Sequence, residues 1–383
     1  MTSLLASSEV SSEVLQQRIR DLVERGRRAI EEGPLTAMQF AVARDGVLLH
    51  CETLGAAEPD SRFCIFSCTK PLVAALVWQL LDEGLVALSS TIASIIPEFG
   101  SLGKEQVTLE QVLCHTAGFP HAPMGPRHWW DSQSRCTRMG EWRLNWAPGT
   151  RFEYHSTSAH WVLAEVIAAV LKQDYREALQ QRILAPLGLS RFQLGVPLSE
   201  QEDINDICTV GKAPTPREVK AILGFEMDFS ELGHPILLRY NEPEVRALGV
   251  PGAGGISTAA DLAIFYQALL GHHTGLWSDQ LLADVTGAVR VNLPDPGTGV
   301  PVNRSLGLVV KGDDEHNARR GMGRTCSYRT FGHNGVGGQV AWADPESGIS
   351  FCLLGNGLDA NPIRSACFGI SMSNRAALLN SPY

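Results

Sequence analysis

The sequence predicts an α/β chain of the α+β kind: an antiparallel sheet flanked by helices, with a mainly helical domain inserted into it. Three observations carry this. Short β-type runs lie near both ends, helix-like text fills the middle, and Gly- and Pro-rich turns separate the runs. At 383 residues the chain exceeds one ordinary compact core and fits about two domains or one large unit. The expected division is a discontinuous sheet domain at 1–90 and 300–383, and a mainly helical domain at 91–299.

Each element has its own signal. Charges recur on one side of an amphipathic helix from Ser12 to about Glu32. From Met38, MQFAVARDGVLLHCETLG gives two β-type runs about Asp45-Gly46, a strong hairpin signal. Residues 63–88, FCIFSCTKPLVAALVWQLLDEGLVAL, are a mostly apolar run in which a helix follows Ser67, with Ser67 able to cap it, Pro71 in the first turn and Gly84 ending it. Further helix-like runs lie at Leu109 to His115, Ala159 to Lys172, Tyr175 to Ile183 and Ala259 to Gly271. The Pro/Gly-rich stretches at 118–130 and 292–303 are loops placed to line a cleft or mark a boundary. GGQVAWAD, a Pro345-Glu-Ser-Gly turn and ISFCLLGN then form a second hairpin, expected to join the first in one sheet. No internal repeat is present.

Composition excludes several classes. The formal charge is −9 and no basic cluster stands out, so nucleic acid is not an expected partner. The longest apolar run, Pro71 to Leu81, is about half what a bilayer needs and is broken by Gln79. With no basic stretch leading into an apolar core at the start, the expectation is a cytoplasmic protein with no membrane partner. Nine cysteines without a CxxC pair are expected to be buried free thiols, with neither a disulfide framework nor a metal or other cofactor.

One placement demands an explanation. The chain has only six lysines, yet Lys70 stands at the front of an apolar helix, three residues after Ser67. Positions three apart share a helix face. Desolvation and the positive end of the helix dipole both lower a lysine pKa there, so the amine can accept the serine proton. A capping serine and a snorkelling lysine would leave the same pattern. The spacing also recurs as Ser101-Leu-Gly-Lys104, where a glycine and the flanking Pro97-Glu-Phe-Gly100 indicate a loop. Two further pieces follow. Tyr154-His155-Ser156 precedes an apolar helix, so the phenol sits at a loop-to-helix junction. Gly332-His333-Asn334-Gly335 leads into a strand, and glycines at 335, 337 and 338 would let a ligand approach the backbone closely. His273-Thr274-Gly275 follows the end of a helix and reads as a decoy.

In this order, Ser67-Cys-Thr-Lys70, Tyr154-His-Ser156 and His333-Asn-Gly335 resemble the three motifs of the serine β-lactamase and penicillin-binding-protein superfamily. LCHTAGFP (113–120), PGAGGISTAADLAIF (251–265) and the closing hairpin are similar to stretches of the same superfamily, so the resemblance spans roughly 38–356. The branch it looks most like holds class C β-lactamases, D-alanyl-D-alanine carboxypeptidases and related carboxylesterases and acyltransferases. The resemblance implies a β-lactamase/transpeptidase-like fold. It makes Ser67 the nucleophile, Lys70 its activator and Tyr154 the proton shuttle, with Ser156 standing where class C enzymes have asparagine. The backbone N–H groups of Ser67 and Val336 would form the oxyanion hole, and His333, Asn334 and Gly335 the substrate-binding edge.

Two departures shape the expected chemistry. Histidine opens the third motif where many β-lactamases have lysine, and serine closes the second. A histidine near its reference pKa of about 6.5 is mainly neutral at pH 7, which weakens attraction to a carboxylate and favours neutral esters. No G-x-S-x-G element occurs, so an α/β-hydrolase reading lacks its nucleophile turn. The expected function is a metal-free serine hydrolase that cleaves a small-molecule carboxylic ester or related acyl substrate through an acyl-enzyme. An acyltransferase using the same intermediate, a β-lactamase or D-Ala-type peptidase, and a non-catalytic binding protein are the alternatives. Trp129, Trp130 and Trp146 either shape the pocket or belong to the core.

Overall fold

The structure, a computed structural model, describes residues 11–223, 234–272 and 275–380. The first helix, α1 (Ser12–Glu31), is capped by the Ser11 hydroxyl, which accepts from the Val14 N–H. Strands β1 (Ala37–Arg44) and β2 (Val47–Gly55) follow. Asp45 and Gly46 both have positive φ, +53° and +78°, as a two-residue turn between right-twisted strands requires. After α2 (Lys70–Asp82), α3 (Ser158–Leu171) and α4 (Ala259–Gln267), the chain returns to the sheet. It does so through β3 (Val309–Val310), β4 (Phe331–Asn334), β5 (Val340–Asp344) and β6 (Ile349–Gly355), and then forms α5 (Pro362–Ala377).

The sheet order is β2-β1-β6-β5-β4-β3. The two hairpins meet as the sequence predicts: β1 runs antiparallel to β6, with Met38 opposite Gly355 and Arg44 opposite Ile349. Alternation along β1 divides two cores. Met38, Phe40 and Val42 join Trp342 and Phe351 under α1 and α5. Ala37, Ala41 and Ala43, with Ala341 and Ala343 of β5, belong to the larger core that also holds α2, α3 and α4. Small side chains on that face let helices approach the sheet closely. Buried Gln39 fastens α4 to it, its Oε1 accepting from the Ala259 N–H at 2.7 Å.

The helical part is organised about α2, in which every residue from Lys70 to Leu80 is buried. A small three-stranded sheet joins Phe63–Cys64, Gly255–Ser257 and Gln193–Leu194, and delivers the chain to the start of α2. Among the described residues no helix is long and apolar enough to cross a membrane. The cysteines correct one expectation. All nine are free, but only Cys64, Cys68, Cys114, Cys326 and Cys352 are buried, while Cys51 and Cys367 are exposed. Cys51 lies on β2, whose burial is incomplete because only one strand pairs with it, and Cys367 lies on α5.

Candidate active site

Ser67 does not cap α2. A 3-10 turn, Phe66–Thr69, comes first, and Thr69 makes the local bonds instead. Its hydroxyl donates to the Phe66 carbonyl at 2.6 Å and accepts from the Gly255 N–H at 2.9 Å. The Ser67 hydroxyl is thereby left out of the backbone ladder, and its N–H lies in the first turn, where no intrahelical carbonyl is available. Phe66 has φ +45°, a left-handed conformation that costs a bulky residue about 1–3 kcal/mol. It is held by burial against Val196, Ile204, Ile207 and Leu358 and by the edge-on ring of Tyr240, centroids 5.5 Å apart. The chain therefore reverses sharply from strand to helix at the residue before Ser67.

Lys70 is fully buried. Its Nζ donates to Ser67 Oγ at 3.1 Å, to the Ser156 carbonyl at 2.8 Å and to the Gly252 carbonyl at 2.6 Å. Desolvation is the main cause that lowers its pKa; nearby Tyr154 opposes this and Arg304 adds to it. The two carbonyls fix the geometry. When the amine is neutral its two hydrogens stay on Ser156 and Gly252, and the remaining tetrahedral position, the lone pair, faces Ser67 Oγ. Ser156 thus enters the site through its backbone; its side chain is exposed.

Tyr154 sits over this pair. Its ring centroid lies 4.9 Å from Lys70 Nζ, 5.2 Å from Arg304 Cζ and 4.8 Å from the His115 ring centroid. Its hydroxyl is buried and makes no hydrogen bond of ordinary geometry among the described residues, and Lys70 is the group within looser reach of it. A buried hydroxyl without a partner costs about 1–3 kcal/mol, which is tolerated where a reacting group supplies the missing partner.

His333 is itself part of strand β4 and does not merely precede a strand, a correction to the sequence reading. It is buried, with Nδ1 donating to the Asn334 carbonyl at 2.7 Å and Nε2 accepting from Arg304 Nη1 at 3.1 Å. Burial first, then the charges of Arg304 and Lys70, push its pKa well below the ordinary histidine value, so it is neutral by a wider margin than its reference value implies. Asn334 turns away, its Nδ2 donating to the Arg320 carbonyl at 3.2 Å.

The glycines after it are also required by the chain's own packing. A Cβ on Gly335 would lie 2.7 Å from the Ile65 carbonyl oxygen, one on Gly337 2.9 Å from Leu358, and one on Gly338 2.8 Å from Ser365. Gly335 therefore lets the end of β4 touch the segment that carries Ser67. Val336 follows in an exposed turn, and its N–H is bonded to no group among the described residues.

The second S-x-x-K copy is a structural tie. Ser101 Oγ donates to the Gly140 carbonyl at 2.6 Å, and buried Lys104 donates to the carbonyls of Ser101 and Trp142 at 2.7 and 2.6 Å. The amine reaches the serine's carbonyl and not its hydroxyl. Of the His273 decoy, residues 273 and 274 lie outside the described residues. Trp130 is exposed, and Trp129 and Trp146 are half-buried; Trp129 donates from Nε1 to the Met124 carbonyl at 2.7 Å.

Four participants had no motif to mark them. Gly252 stands in a quoted stretch, but nothing in its spacing reveals a carbonyl aimed at Lys70. Arg304, in Asn303-Arg304-Ser305, is an isolated arginine after a Pro/Gly-rich loop. His115 and His160 are buried beside Lys70 and Arg304, and both nitrogens of His160 lack partners among the described residues. His115 stands in the quoted stretch 113–120 without its own spacing signal, and His160 is marked only as a histidine inside apolar text.

Comparison with known proteins agrees with this fold. A family model described as Beta-lactamase matches residues 15–368. The chain is 28% identical over 320 residues to "Esterase/beta-lactamase LipL" of Mycobacterium tuberculosis (strain ATCC 25618 / H37Rv), covering 78% of this chain and 70% of that protein. It is 27% identical over 363 residues to "Esterase EstB" of Burkholderia gladioli, covering 86% and 88%. Among solved structures, that of a family VIII carboxylesterase superposes with a TM-score of 0.76 at 23% identity, covering 94% of this chain and 97% of the other, and so shares the fold.

Proposed function

The chain belongs to the beta-lactamase family, and from that premise we propose that it is a serine hydrolase that cleaves carboxylic esters through an acyl-enzyme on Ser67. The observation that carries the proposal is the buried Lys70 amine, 3.1 Å from Ser67 Oγ and held by two carbonyls. In the neutral amine the lone pair accepts the Ser67 proton as Oγ attacks the ester carbonyl. The oxyanion is received by the N–H groups of Ser67 and Val336. Tyr154, with its unpartnered hydroxyl beside Lys70, passes the proton to the departing alkoxide, which leaves as the alcohol. Water then attacks the acyl-Ser67 ester, losing its proton along the same route in reverse, and releases the carboxylic acid.

Esters are preferred to carboxylate-bearing amides because His333, at the substrate edge, presents a neutral ring. A charged contact to a substrate carboxylate would contribute about 1.5–3 kcal/mol, roughly one to two decades in binding. Two of the relatives above are named esterases, which supports the same reading. The test compares initial rates on a short-chain p-nitrophenyl ester and a cephalosporin at pH 7.5. The ester is expected to show a kcat/KM at least about 10²-fold higher. Preference for the cephalosporin would overturn the esterase reading.

A further inference from the structure

Arg304 is a cation in an unusual position. It is 9% exposed, and its side-chain hydrogen bond among the described residues goes to a histidine and not to a carboxylate. Buried charges are ordinarily paired, because leaving one unpaired is costly. Its backbone is pinned on both sides, bridging Val291 and Val309. Its side chain is spent on the site: Nη1 donates to His333 Nε2 at 3.1 Å, and Cζ lies 5.2 Å from the Tyr154 ring centroid and 5.8 Å from that of Phe152. The Nε–H is buried without a partner. Few other charges compete with it. The titratable groups near enough to interact with it are Lys70, His115, His160, His333, Cys114, Tyr154 and Asp295. Burial keeps the three histidines neutral and the thiol protonated. The Asp295 carboxylate is occupied in its own turn, accepting from the N–H groups of Gly297 and Thr298.

We infer that Arg304 is a positioning residue for the proposed hydrolysis, a fixed buried cation that holds the His333 ring in place and, packed with Lys70 against the Tyr154 ring, disfavours a second positive charge on the Lys70 amine. The inference rests on the acyl-enzyme reading of Ser67. The physical reason is simple. A permanent positive charge opposes a second one on Lys70, which makes the proton-accepting amine available at lower pH. The charge comes from a residue 29 positions earlier and ends on the His333 ring, so the group at the substrate edge remains the neutral imidazole.

The test follows the rate of Ser67 labelling by a fluorophosphonate probe from pH 5 to 10, in wild type and in Arg304→Met, Arg304→Gln and Arg304→Lys, with melting temperatures measured alongside. Arg304 is one of the charges that lower the Lys70 pKa, so the acid limb of the labelling profile should move to higher pH in Arg304→Met. Arg304→Gln keeps an N–H donor without the charge and should show the same shift, which preserves the test if the methionine variant does not fold. Arg304→Lys should return the limb towards wild type. An unmoved limb in the methionine and glutamine variants, or the same shift in the lysine variant, overturns the inference whatever happens to melting temperature. If wild-type Ser67 is not labelled at all, the acyl-enzyme reading itself has failed, which is a distinct result.

Discussion

At the scale of single residues, the two S-x-x-K copies show that spacing proposes and burial decides. Both lysines are buried and both make carbonyl bonds, but only Lys70 reaches a serine hydroxyl. Ser67→Ala is therefore expected to abolish ester turnover, whereas Ser101→Ala, which loses one bond to the Gly140 carbonyl, should keep turnover within a few-fold; steady-state rates on a p-nitrophenyl ester settle the contrast. Lys70→Ala and Tyr154→Phe should each slow acylation by at least about 10²-fold, as positioned proton transfer requires. The burst phase measures this, and a normal burst in either variant would remove that residue from the mechanism. Ser67, Lys70, Tyr154 and His333 were legible because each lies in a short ordered motif. Arg304 and the Gly252 carbonyl were not, because tertiary packing alone brings them to the site, and a backbone oxygen leaves no mark in a sequence.

At the scale of elements, the hairpins were readable from turn chemistry: Asp45-Gly46 adopts the left-handed pair its residues favour. The start of α2 was misread for a physical reason. Ser67 suits an N-cap, but a 3-10 turn occupies that place and Thr69 takes over the bonding to Phe66 and Gly255. The strained Phe66 cannot be inferred from sequence, since nothing marks a phenylalanine as left-handed. The contact between β4 and the nucleophile turn depends on Gly335, where a Cβ would sit 2.7 Å from the Ile65 oxygen. Gly335→Ala should separate these elements and lower kcat/KM by about 10²-fold, the scale on which small misplacements act. Near-normal kcat/KM in a folded Gly335→Ala protein would show that the close approach is dispensable.

At the scale of the whole molecule, the price of this site is a set of buried histidines. Burial pushes His115, His160 and His333 well below the ordinary value and His155 to about 4. A histidine neutral in the folded state binds a proton in the unfolded chain below pH about 6.5. Stability is thus intact above that pH and declines as pH falls towards the folded value, by about 2 kcal/mol per such histidine at pH 5. Urea midpoints at pH 7.5 and 5 should fall accordingly, and equal midpoints would contradict the buried neutral assignment. The sheet joining both ends of the chain was predictable because β-type runs flanked helical text; the way its β4 edge meets α2 was not, because that depends on contacts between residues more than 260 positions apart. The proposed mechanism stands or falls on acylation of Ser67. Its most direct test is intact and peptide-level mass spectrometry after brief incubation with a p-nitrophenyl ester and acid quench. One acyl group on Ser67 in wild type, none in Ser67→Ala and none on Ser101 is the predicted result; ester turnover by wild type with no adduct, or with the adduct on another residue, would contradict it.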